Sequence, residues 1–374
     1  MNNDYYIIDA DGHIAEEQAD AIKWEEWLEE PYKAKAPKHI PFETGGGRLF
    51  IEGKIYGRTY ATRFQNIDRG VFQQHQARTG MWDPKVRLQH MDKEGIDVSV
   101  IFGGAIMNSA STYIDGKFAT AMCRAYNNWM HRFCSASPKR LKAVSPVSLQ
   151  NIEEGVDEVG RAVTDLGAVA VSVTSNVHGR NIHEPAFAPL FSTAESLDIP
   201  VCVHLGGGIP GVHGAGTERF KEHLYVHLFT HPFEQMIAVS VIICSGILDR
   251  HPKLRVAFLE GGVGWVPFWM ERLDEHYATC PGEVDCKAKP SEYIKGSQLY
   301  FSGSSEEVSI PFVSEVIGED RLMYSSDYWH FDAKFWGSVA DISQRTNLSD
   351  SAKRKILAEN AARLYKLPVS GHNR

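Results

Sequence analysis

Acidic and histidine side chains follow several apolar runs of this sequence, and they are side chains that can bind a divalent metal. The first run begins at Tyr5 and leads into DADGH, residues 9–13. Asp11 and His13 are two residues apart, so on an extended chain their side chains point to the same side. A carboxylate and an imidazole on one side of a strand end are typical of metal ligation. This pattern predicts Lewis-acid chemistry or activation of a metal-bound water.

Three more polar residues end apolar runs in the same way. His204 follows PVCV, Glu260 follows RVAFL, and Asp327 follows LMYSS. If these runs are strands of one sheet, their ends converge, and burying the charges together without a cation would be costly. We therefore predict a metal site formed by Asp11, His13, His204, Glu260 and Asp327. The ligand set suits Zn, Mn or Fe.

Extra histidines suggest that a second metal ion can bind. His223, His227 and His231 are spaced by four residues, and on a continuous helix they would share one face. Because a residue before proline avoids the helical conformation, we expect this helix to break, with Pro232 opening a new helix. We expect either His227 or His231 to reach the site.

Three other residues are candidates for contacts with substrate or metal. His330 lies three residues past Asp327 and can ligate a second metal, orient Asp327 or bind substrate. Trp329, between them, is expected to line the pocket. Arg87 is a candidate partner for a substrate carboxylate, with a surface or salt-bridge role as the alternative.

These residues lie on a regular alternation of strands and helices. Near-continuous apolar strands that alternate with amphipathic helices predict a parallel sheet covered on both faces, and eight such units predict an α/β fold of the (β/α)8 TIM-barrel type. We interpret residues 15–95 as an insertion between the first two strands, residues 349–367 as a C-terminal helix, and the whole as one domain. The predicted strands are Tyr5–Asp9, Val98–Phe102, Leu141–Val147, Ala168–Val173, Pro200–Leu205, Arg255–Leu259, Gln298–Phe301 and Leu322–Tyr324.

Composition argues against several other classes of protein. The 374 residues carry a net charge of −8 without a basic tract, which disfavours a nucleic-acid partner. No signal peptide is evident, and the apolar run Met236–Leu248 is too short to span a bilayer. The six cysteines lack CxxC spacing, which favours a reducing compartment. We therefore expect a cytoplasmic protein that acts on a small molecule.

Seven segments in order along the chain carry a resemblance to a known family. The sequence resembles the amidohydrolase-related family, in the branch that contains aminocarboxymuconate-semialdehyde and resorcylate decarboxylases. The segments are IDADGH, RLQHMDKEGIDVSVIF, NNWMHRFCSASPKRLKAVSPVSLQ, IPVCVHLGGG, GILDRHPKLRVAFLEGGVGW, MYSSDYWH and ILAENAARLYKL.

The resemblance implies a (β/α)8 barrel, a divalent metal and an oligomer, with Asp11, His13, His204 and Asp327 at the family's ligand positions. The chain departs from the family twice. Many members have His-x-His or Glu-x-His in place of Asp11-x-His13, and many have a catalytic histidine in place of Glu260. In this respect the chain is similar to a few dinuclear iron or iron–manganese oxygenases, such as 2-aminoisobutyrate hydroxylase.

Three functions follow as hypotheses. The first is hydrolysis or non-oxidative decarboxylation of a small organic acid, with Asp327 as general acid or base and Glu260 orienting water or binding the metal. The second is a dinuclear oxygenase in which Glu260 bridges two metal ions. The third is a non-catalytic subunit that pairs with a paralogous chain. We favour the first.

Overall fold

Eight parallel strands form the centre of the protein. The computed structural model describes residues 5–14, 22–41, 47–51, 54–56, 80–104, 115–204, 214–220, 222–328, 330 and 333–369. All eight predicted strands are present, although the first begins and ends later than predicted. They are β1 (Ile8–His13), β2 (Val98–Phe102), β3 (Leu141–Pro146), β4 (Ala170–Val173), β5 (Val201–Val203), β6 (Val256–Phe258), β7 (Leu299–Gly303) and β8 (Leu322–Tyr324).

The strands follow one another around the sheet in chain order, from β1 to β8. Contacts just past the end of β8 bring the two edges together. Gly12 forms a β-bridge with Tyr328, and the amide of His13 donates to the carbonyl of Tyr328 at 2.7 Å. The amide of Asp327 donates to the carbonyl of Asp11 at 2.9 Å. The predicted (β/α)8 barrel is confirmed, and its two edges meet at residues predicted to form the site.

Helices cover the outside of the barrel. The α-helices are Trp24–Trp27, Pro84–Glu94, Gly116–Cys134, Ile152–Thr164, Ala188–Ser196, His223–Cys244, Ile247–Arg250, Val266–Thr279, Pro290–Lys295, Ile310–Ile317, Ser338–Ser343, Asp350–Arg354 and Asn360–Tyr365, with a π-helical turn at Lys355–Glu359. Shorter 3-10 helices are Tyr32–Lys35, Pro185–Phe187, Thr217–Arg219 and Pro281–Glu283. In one small antiparallel sheet Gly47–Ile51 lies between Lys38–Pro41 and Lys54–Tyr56, and in another Asn176–Val177 pairs with Arg180–Asn181.

The segment between β1 and β2 was predicted to be an insertion. Its described elements are the helix Trp24–Trp27, the 3-10 helix Tyr32–Lys35, the three-stranded antiparallel sheet and the helix Pro84–Glu94, which leads directly into β2. The N-terminus of that last helix is capped by Asp83, whose side chain accepts from the amides of Lys85 and Val86. That this segment forms a lid or a subunit contact stays a prediction.

Side chains alternate between the barrel interior and the surrounding helices, as the period of two predicts. The buried apolar side chains form two clusters, one inside the barrel and a larger one between the strands and the helices. On β5, Cys202 belongs to the cluster inside the barrel, whereas Val201 and Val203 belong to the larger cluster. His204 continues the interior register of Cys202. The alternation therefore explains why a histidine directly after β5 points into the end of the barrel.

A β-bulge in β1 separates two groups of its polar residues. The register with β2 shifts between Asp9 and Gly12. Asp9 lies outside the barrel, where its carboxylate accepts from the hydroxyl of Ser99 at 2.9 Å and from the amide and hydroxyl of Ser326, each at 2.8 Å. Asp11 and His13, beyond the bulge, lie inside the barrel end. Burial raises the pKa of Asp9 to about 6, although the nearby Arg87 guanidinium lowers it.

The helix His223–Cys244, called the long helix below, corrects the expected break at Pro232. It continues through Pro232, which lies in its interior. Proline cannot donate to the carbonyl of Leu228, so the helix loses one main-chain hydrogen bond there. The burial of Val239 and Ile242 against the barrel stabilises the helix beyond the proline.

The long helix is also apolar enough to be compared with a membrane span. Its segment Leu224–Cys244 has the length and composition of such a span, with a mean hydropathy of 1.3. The apolar run Met236–Leu248 is by itself too short, but the helix begins well before that run. Within it, however, Gln235 and Glu234 are buried and bonded to the barrel and its loops. We therefore interpret it as a core helix of the barrel.

We expect Gly12→Ala to destabilise the protein by about 1–3 kcal/mol, the usual effect of overpacking. A Cβ at Gly12 would collide with the Arg87 guanidinium and lie 2.8 Å from Asp9 Oδ2. The measurement is the free energy of unfolding by urea denaturation. Gly160→Ala is the control, because nothing lies within 4 Å of its added Cβ and alanine favours the helix. Equal stability of the two variants would contradict the prediction.

Candidate metal centre

The five predicted ligands converge at the C-terminal end of the barrel. Asp11 and His13 lie on β1, His204 directly follows β5, Glu260 lies two residues past β6, and Asp327 lies three residues past β8. This is the end of a (β/α)8 barrel at which active sites are built. The sheet, rather than any local sequence, brings together residues that are more than 300 positions apart.

His13 lies at the centre of the cluster. Its Nε2 atom is 3.0 Å from Glu260 Oε1, 3.2 Å from Asp327 Oδ1, 3.2 Å from His204 Nε2 and 3.5 Å from Asp11 Oδ1. Ligands about 2.1 Å from one metal ion are separated by roughly 3.0 Å in octahedral and 3.4 Å in tetrahedral geometry. The donor atoms therefore have the spacing that a single divalent cation requires.

The buried oxygen atoms of the site provide an independent test of this fit. Neither carboxylate oxygen of Asp11 has a hydrogen-bond partner among the residues that the structure describes, although Asp11 is fully buried. A buried carboxylate without hydrogen bonds is strongly unfavourable unless a cation neutralises it. His13 Nδ1 lies 3.3 Å from the carbonyl of Gly103, and a proton on Nδ1 leaves the lone pair of Nε2 facing the site. The residues present fit a divalent metal.

The exposed fraction of the side chains differs across the cluster, so that one side of it is buried and the other is open to solvent. The side chains of His13, His204 and Asp11 are at most 1% exposed, and that of Glu260 is 6% exposed. The side chains of Asp327 and His330 are 28% and 35% exposed. A small molecule that enters the barrel end therefore meets Asp327 and His330.

Without a cation, the carboxylates of the cluster draw protons onto its imidazoles. Burial lowers the pKa of His204, but the charges of Glu260 and Asp11 outweigh it and raise this pKa to about 10. Burial likewise lowers the pKa of His330, but contact with Asp327 and Glu260 raises it well above its usual value. Burial raises the pKa of Glu260, yet His204 and His13 hold it well below its usual range.

We expect metal binding at pH 7.5 to release at least one proton per chain. Since the pKa of His204 in the metal-free cluster is about 10, this histidine is protonated at pH 7.5 and must lose its proton to bind a metal. Apparent affinity should therefore rise with pH, by about tenfold per pH unit for each proton released. Calorimetric titration with Mn²⁺ in two buffers of different ionisation enthalpy measures the release. Binding without proton release would contradict this account of the site.

Two overlapping groups of donors share this site. One consists of Asp11, His13, His204 and Glu260, and the other of His13, Glu260, Asp327 and His330. Within each group the donor atoms lie within 4.8 Å of one another. His330 Nδ1 is 2.7 Å from Asp327 Oδ1 and 3.1 Å from Glu260 Oε1, so His330 belongs to the cluster.

The extra histidines of the long helix lie next to the cluster. His231 Nε2 is 3.7 Å from Glu260 Oε2, the carboxylate oxygen turned away from His13. His227 lies one turn earlier, with its ring centroid 4.7 Å from that of His231. The structure thus brings His231 to the edge of the site, while a role for either residue as a ligand stays a prediction.

The two residues predicted to contact substrate have different outcomes. Trp329 lies outside the described residues. Arg87 is 1% exposed rather than at the surface, and its guanidinium donates to the carbonyl of His13 at 2.8 Å and stacks on the ring of Tyr328. Its bonds hold the backbone of a predicted ligand, so a direct contact with substrate has no support from this position.

A hydrogen-bond network behind the predicted ligands was not predicted from the sequence. Asp9, Ser99 and Ser326 connect β1, β2 and the end of β8 by hydrogen bonds, and Ser99 also accepts from Arg87 Nη2 at 3.1 Å. This network supports the backbone on which Asp11 and Asp327 lie. The available signal was Asp9, a second acidic residue in DADGH besides the predicted ligand Asp11.

Two of the carboxylate residues adopt left-handed backbone. The φ angle is 58° at Glu260 and 46° at Asp327, in a region that residues other than glycine rarely occupy. Such conformations are strained and concentrate at functional sites. At Glu260 the turn redirects a side chain that strand alternation, with Leu259 in the interior, would point out of the barrel.

Comparison with known proteins places this site in context. Residues 8–367 match a family model described as Amidohydrolase. The chain is 26% identical over 283 residues to 2-amino-3-carboxymuconate-6-semialdehyde decarboxylase of Dictyostelium discoideum, covering 75% of this chain and 71% of that protein. It is 26% identical over 292 residues to gamma-resorcylate decarboxylase of a Rhizobium species, covering 75% and 86%.

A solved structure supports the fold over nearly the whole chain. It is that of 5-carboxyvanillate decarboxylase from Novosphingobium aromaticivorans, complexed with manganese and 4-hydroxy-3-methoxy-5-nitrobenzoic acid. The TM-score is 0.73 at 21% identity, and the match covers 97% of this chain and 96% of that one.

Proposed function

Because the chain belongs to the amidohydrolase family, whose model spans residues 8–367, we propose that it is a metal-dependent decarboxylase of a small unsaturated or aromatic carboxylic acid. The observation that carries the proposal is the difference in burial within the site. The predicted ligands are buried, whereas the adjacent carboxylate–imidazole pair, Asp327 and His330, is partly exposed. The decarboxylases among its relatives support this reaction over hydrolysis. Hydrolysis through an activated water is the alternative within the same site.

Asp11, His13 and His204 would hold the metal, with Glu260 as a further ligand. When bound, a divalent cation supplies a Lewis acid that can hold a substrate carboxylate. Three carboxylates surround the site, and a divalent cation leaves one negative charge uncompensated. That excess charge favours keeping a proton on His330, the most exposed member of the cluster.

Asp327 and His330 would supply the proton that decarboxylation consumes. The bond between the substrate carbon and its carboxyl group breaks, CO₂ leaves, and the carbon takes a proton in its place. Burial raises the pKa of Asp327, but His330 lowers it overall, while the pKa of His330 is raised, so the shared proton resides on the imidazole. Asp327 then passes this proton to carbon, as a general acid positioned at the open side of the site.

The proposed activity is tested by incubating the metal-loaded protein with a panel of hydroxybenzoic and amino-substituted unsaturated acids. We expect CO₂ release that depends on added Mn²⁺, Zn²⁺ or Fe²⁺ and does not depend on O₂. A panel of amides and lactones is assayed in parallel for hydrolysis. Hydrolysis of this second panel without CO₂ release from the first would replace decarboxylation by the alternative.

A dinuclear oxygenase is a second candidate, and a specific observation favours it. The second group of donors, which includes Asp327 and His330, shares His13 and Glu260 with the first. Glu260 would then be a ligand common to two ions, and His231 lies 3.7 Å from its other carboxylate oxygen. Metal content of the protein purified without added metal separates the candidates. Two ions per chain, with iron among them and O₂ consumed, would establish the oxygenase, whereas one ion supports the decarboxylase.

The assembly and location of the protein are part of the same proposal. We propose a cytoplasmic homo-oligomer or a pairing with a paralogous chain. Leu224 and Leu228 of the long helix are 66% and 55% exposed, and Phe268 is 57% exposed, which supports a subunit contact.

A further inference from the structure

Gln235 on the long helix connects the strands that carry two of the ligands. Its side chain is fully buried. Its amide Nε2 donates to the carbonyl of Val203 at 3.0 Å and to that of Leu259 at 2.5 Å. These are the residues directly before His204 and Glu260. One amide group therefore holds the backbone at both ligand positions.

The sheet by itself does not fix the second of these carbonyls. The register of β6 with β7 ends at the pair Phe258 and Phe301. The amide of Leu259 still donates to the carbonyl of Val203 at 3.2 Å, but its own carbonyl accepts no backbone hydrogen bond from the described residues. Directly after it, Glu260 adopts left-handed backbone. The bond from Gln235 thus holds the peptide that enters the strained turn, where the direction of the Glu260 carboxylate is decided.

The loop after Glu260 is shaped to admit Gln235. A Cβ added at Gly261 would lie 2.6 Å from Gln235 Cγ, so the close approach of the glutamine requires glycine there. Beyond this point, the indole Nε1 of Trp265 donates to the carbonyls of Gly261 and Gly262 at 3.0 and 2.9 Å. The segment that carries Glu260 is therefore held on both sides.

We propose that Gln235 is a positioning residue that sets the separation of His204 and Glu260, and through it the affinity and geometry of the metal site. His204 Nε2 and Glu260 Oε1 are 3.4 Å apart, a separation suited to two ligands of one ion. Only a group with two N–H bonds can donate to both carbonyls, which excludes methionine and glutamate as replacements. The inference rests on the metal-dependent function proposed above.

The test compares Gln235→Met with Gln298→Met, both loaded with Co²⁺. Gln298 Nε2 also donates to main-chain carbonyls, those of Leu248, His251 and Leu254, but directly before β7, at the opposite end of the barrel. Loss of a group that supports metal ligands typically weakens metal binding 10–100-fold. We expect Gln235→Met to weaken Co²⁺ binding by about this factor and to change the visible absorption spectrum of bound Co²⁺. Gln298→Met should lower Tm while leaving the Co²⁺ affinity and spectrum unchanged.

Unchanged Co²⁺ affinity and spectrum in Gln235→Met would overturn the inference, even if Tm falls as in Gln298→Met. If Gln235→Met does not fold, Gly261→Ala takes its place, because the added methyl group displaces Gln235 without removing it. The same affinity loss in that variant supports the inference, and wild-type affinity overturns it. Failure of the unmodified protein to bind Co²⁺ would instead refute the proposed metal-dependent function.

Discussion

Asp327→Asn is expected to lower kcat by about 10²–10⁴-fold, the usual contribution of a general acid or base. Asparagine keeps an oxygen near the position of Oδ1 but cannot carry and release the proton that replaces CO₂. Asp327 is 28% exposed and lies 2.7 Å from His330 Nδ1, so it is the carboxylate of the cluster that we expect to meet both the substrate and the proton donor. The measurement is kcat for CO₂ release, together with metal content by mass spectrometry.

Asp341→Asn is a matched control for this variant. Asp341 has a similar exposed fraction of 23%, and its carboxylate contacts Lys334 and Ser305 rather than the cluster. We expect this control to keep wild-type kcat and metal content. If Asp327→Asn retained full metal content and kept kcat within a few-fold of wild type, Asp327 would not be the residue that moves the proton. A loss of kcat explained by loss of metal would make it chiefly a ligand.

His13→Ala is expected to have the second large effect, which is loss of the metal itself. Its Nε2 atom lies within 3.5 Å of four other donors, and it belongs to both donor groups. Removing an outer-shell partner costs 10–100-fold in metal affinity, so removing this central ligand should cost more than about 100-fold. Activity should fall to background with it. Titration with Mn²⁺ followed by calorimetry measures the affinity.

His276→Ala is the control for that variant, because His276 is exposed on the helix Val266–Thr279 and its Nδ1 contacts only the carbonyl of Arg272 among the described hydrogen bonds. Circular dichroism establishes that both variants fold. A folded His13→Ala protein that binds Mn²⁺ as the wild type does would exclude the proposed metal centre. Metal loss with activity retained would show that the reaction does not need the ion.

The residues that gather at the candidate metal centre, and their order along the chain, could be predicted from sequence. Each of Asp11, His13, His204, Glu260 and Asp327 follows or ends a run of apolar residues, and the eight runs are the observed strands. Such runs are readable because a strand buried on both faces has a nearly continuous apolar sequence, in which charged residues are rare until the strand ends. Once the barrel was predicted, convergence of the five side chains followed from its geometry.

The directions in which these side chains point depended on tertiary structure. Strand alternation places Asp9, Asp11 and His13 on one side, but the bulge in β1 leaves Asp9 outside the barrel and turns the other two inward. Alternation would also point Glu260 outward, and its left-handed backbone reverses this. In both places the backbone departs from a regular strand. A prediction based on the alternation of side chains along a strand does not include such departures.

Contacts across the fold decided the remaining features. The sequence permitted Arg87 on the surface and a helix break at Pro232, whereas packing buries Arg87 behind His13 and continues the long helix through Pro232. The continuous helix brings His231 to Glu260 and Gln235 to the carbonyls of two strands. The sequence by itself determined which groups could bind a metal. The tertiary structure determined which groups face it, because burial against distant residues outweighs the local preferences of the backbone.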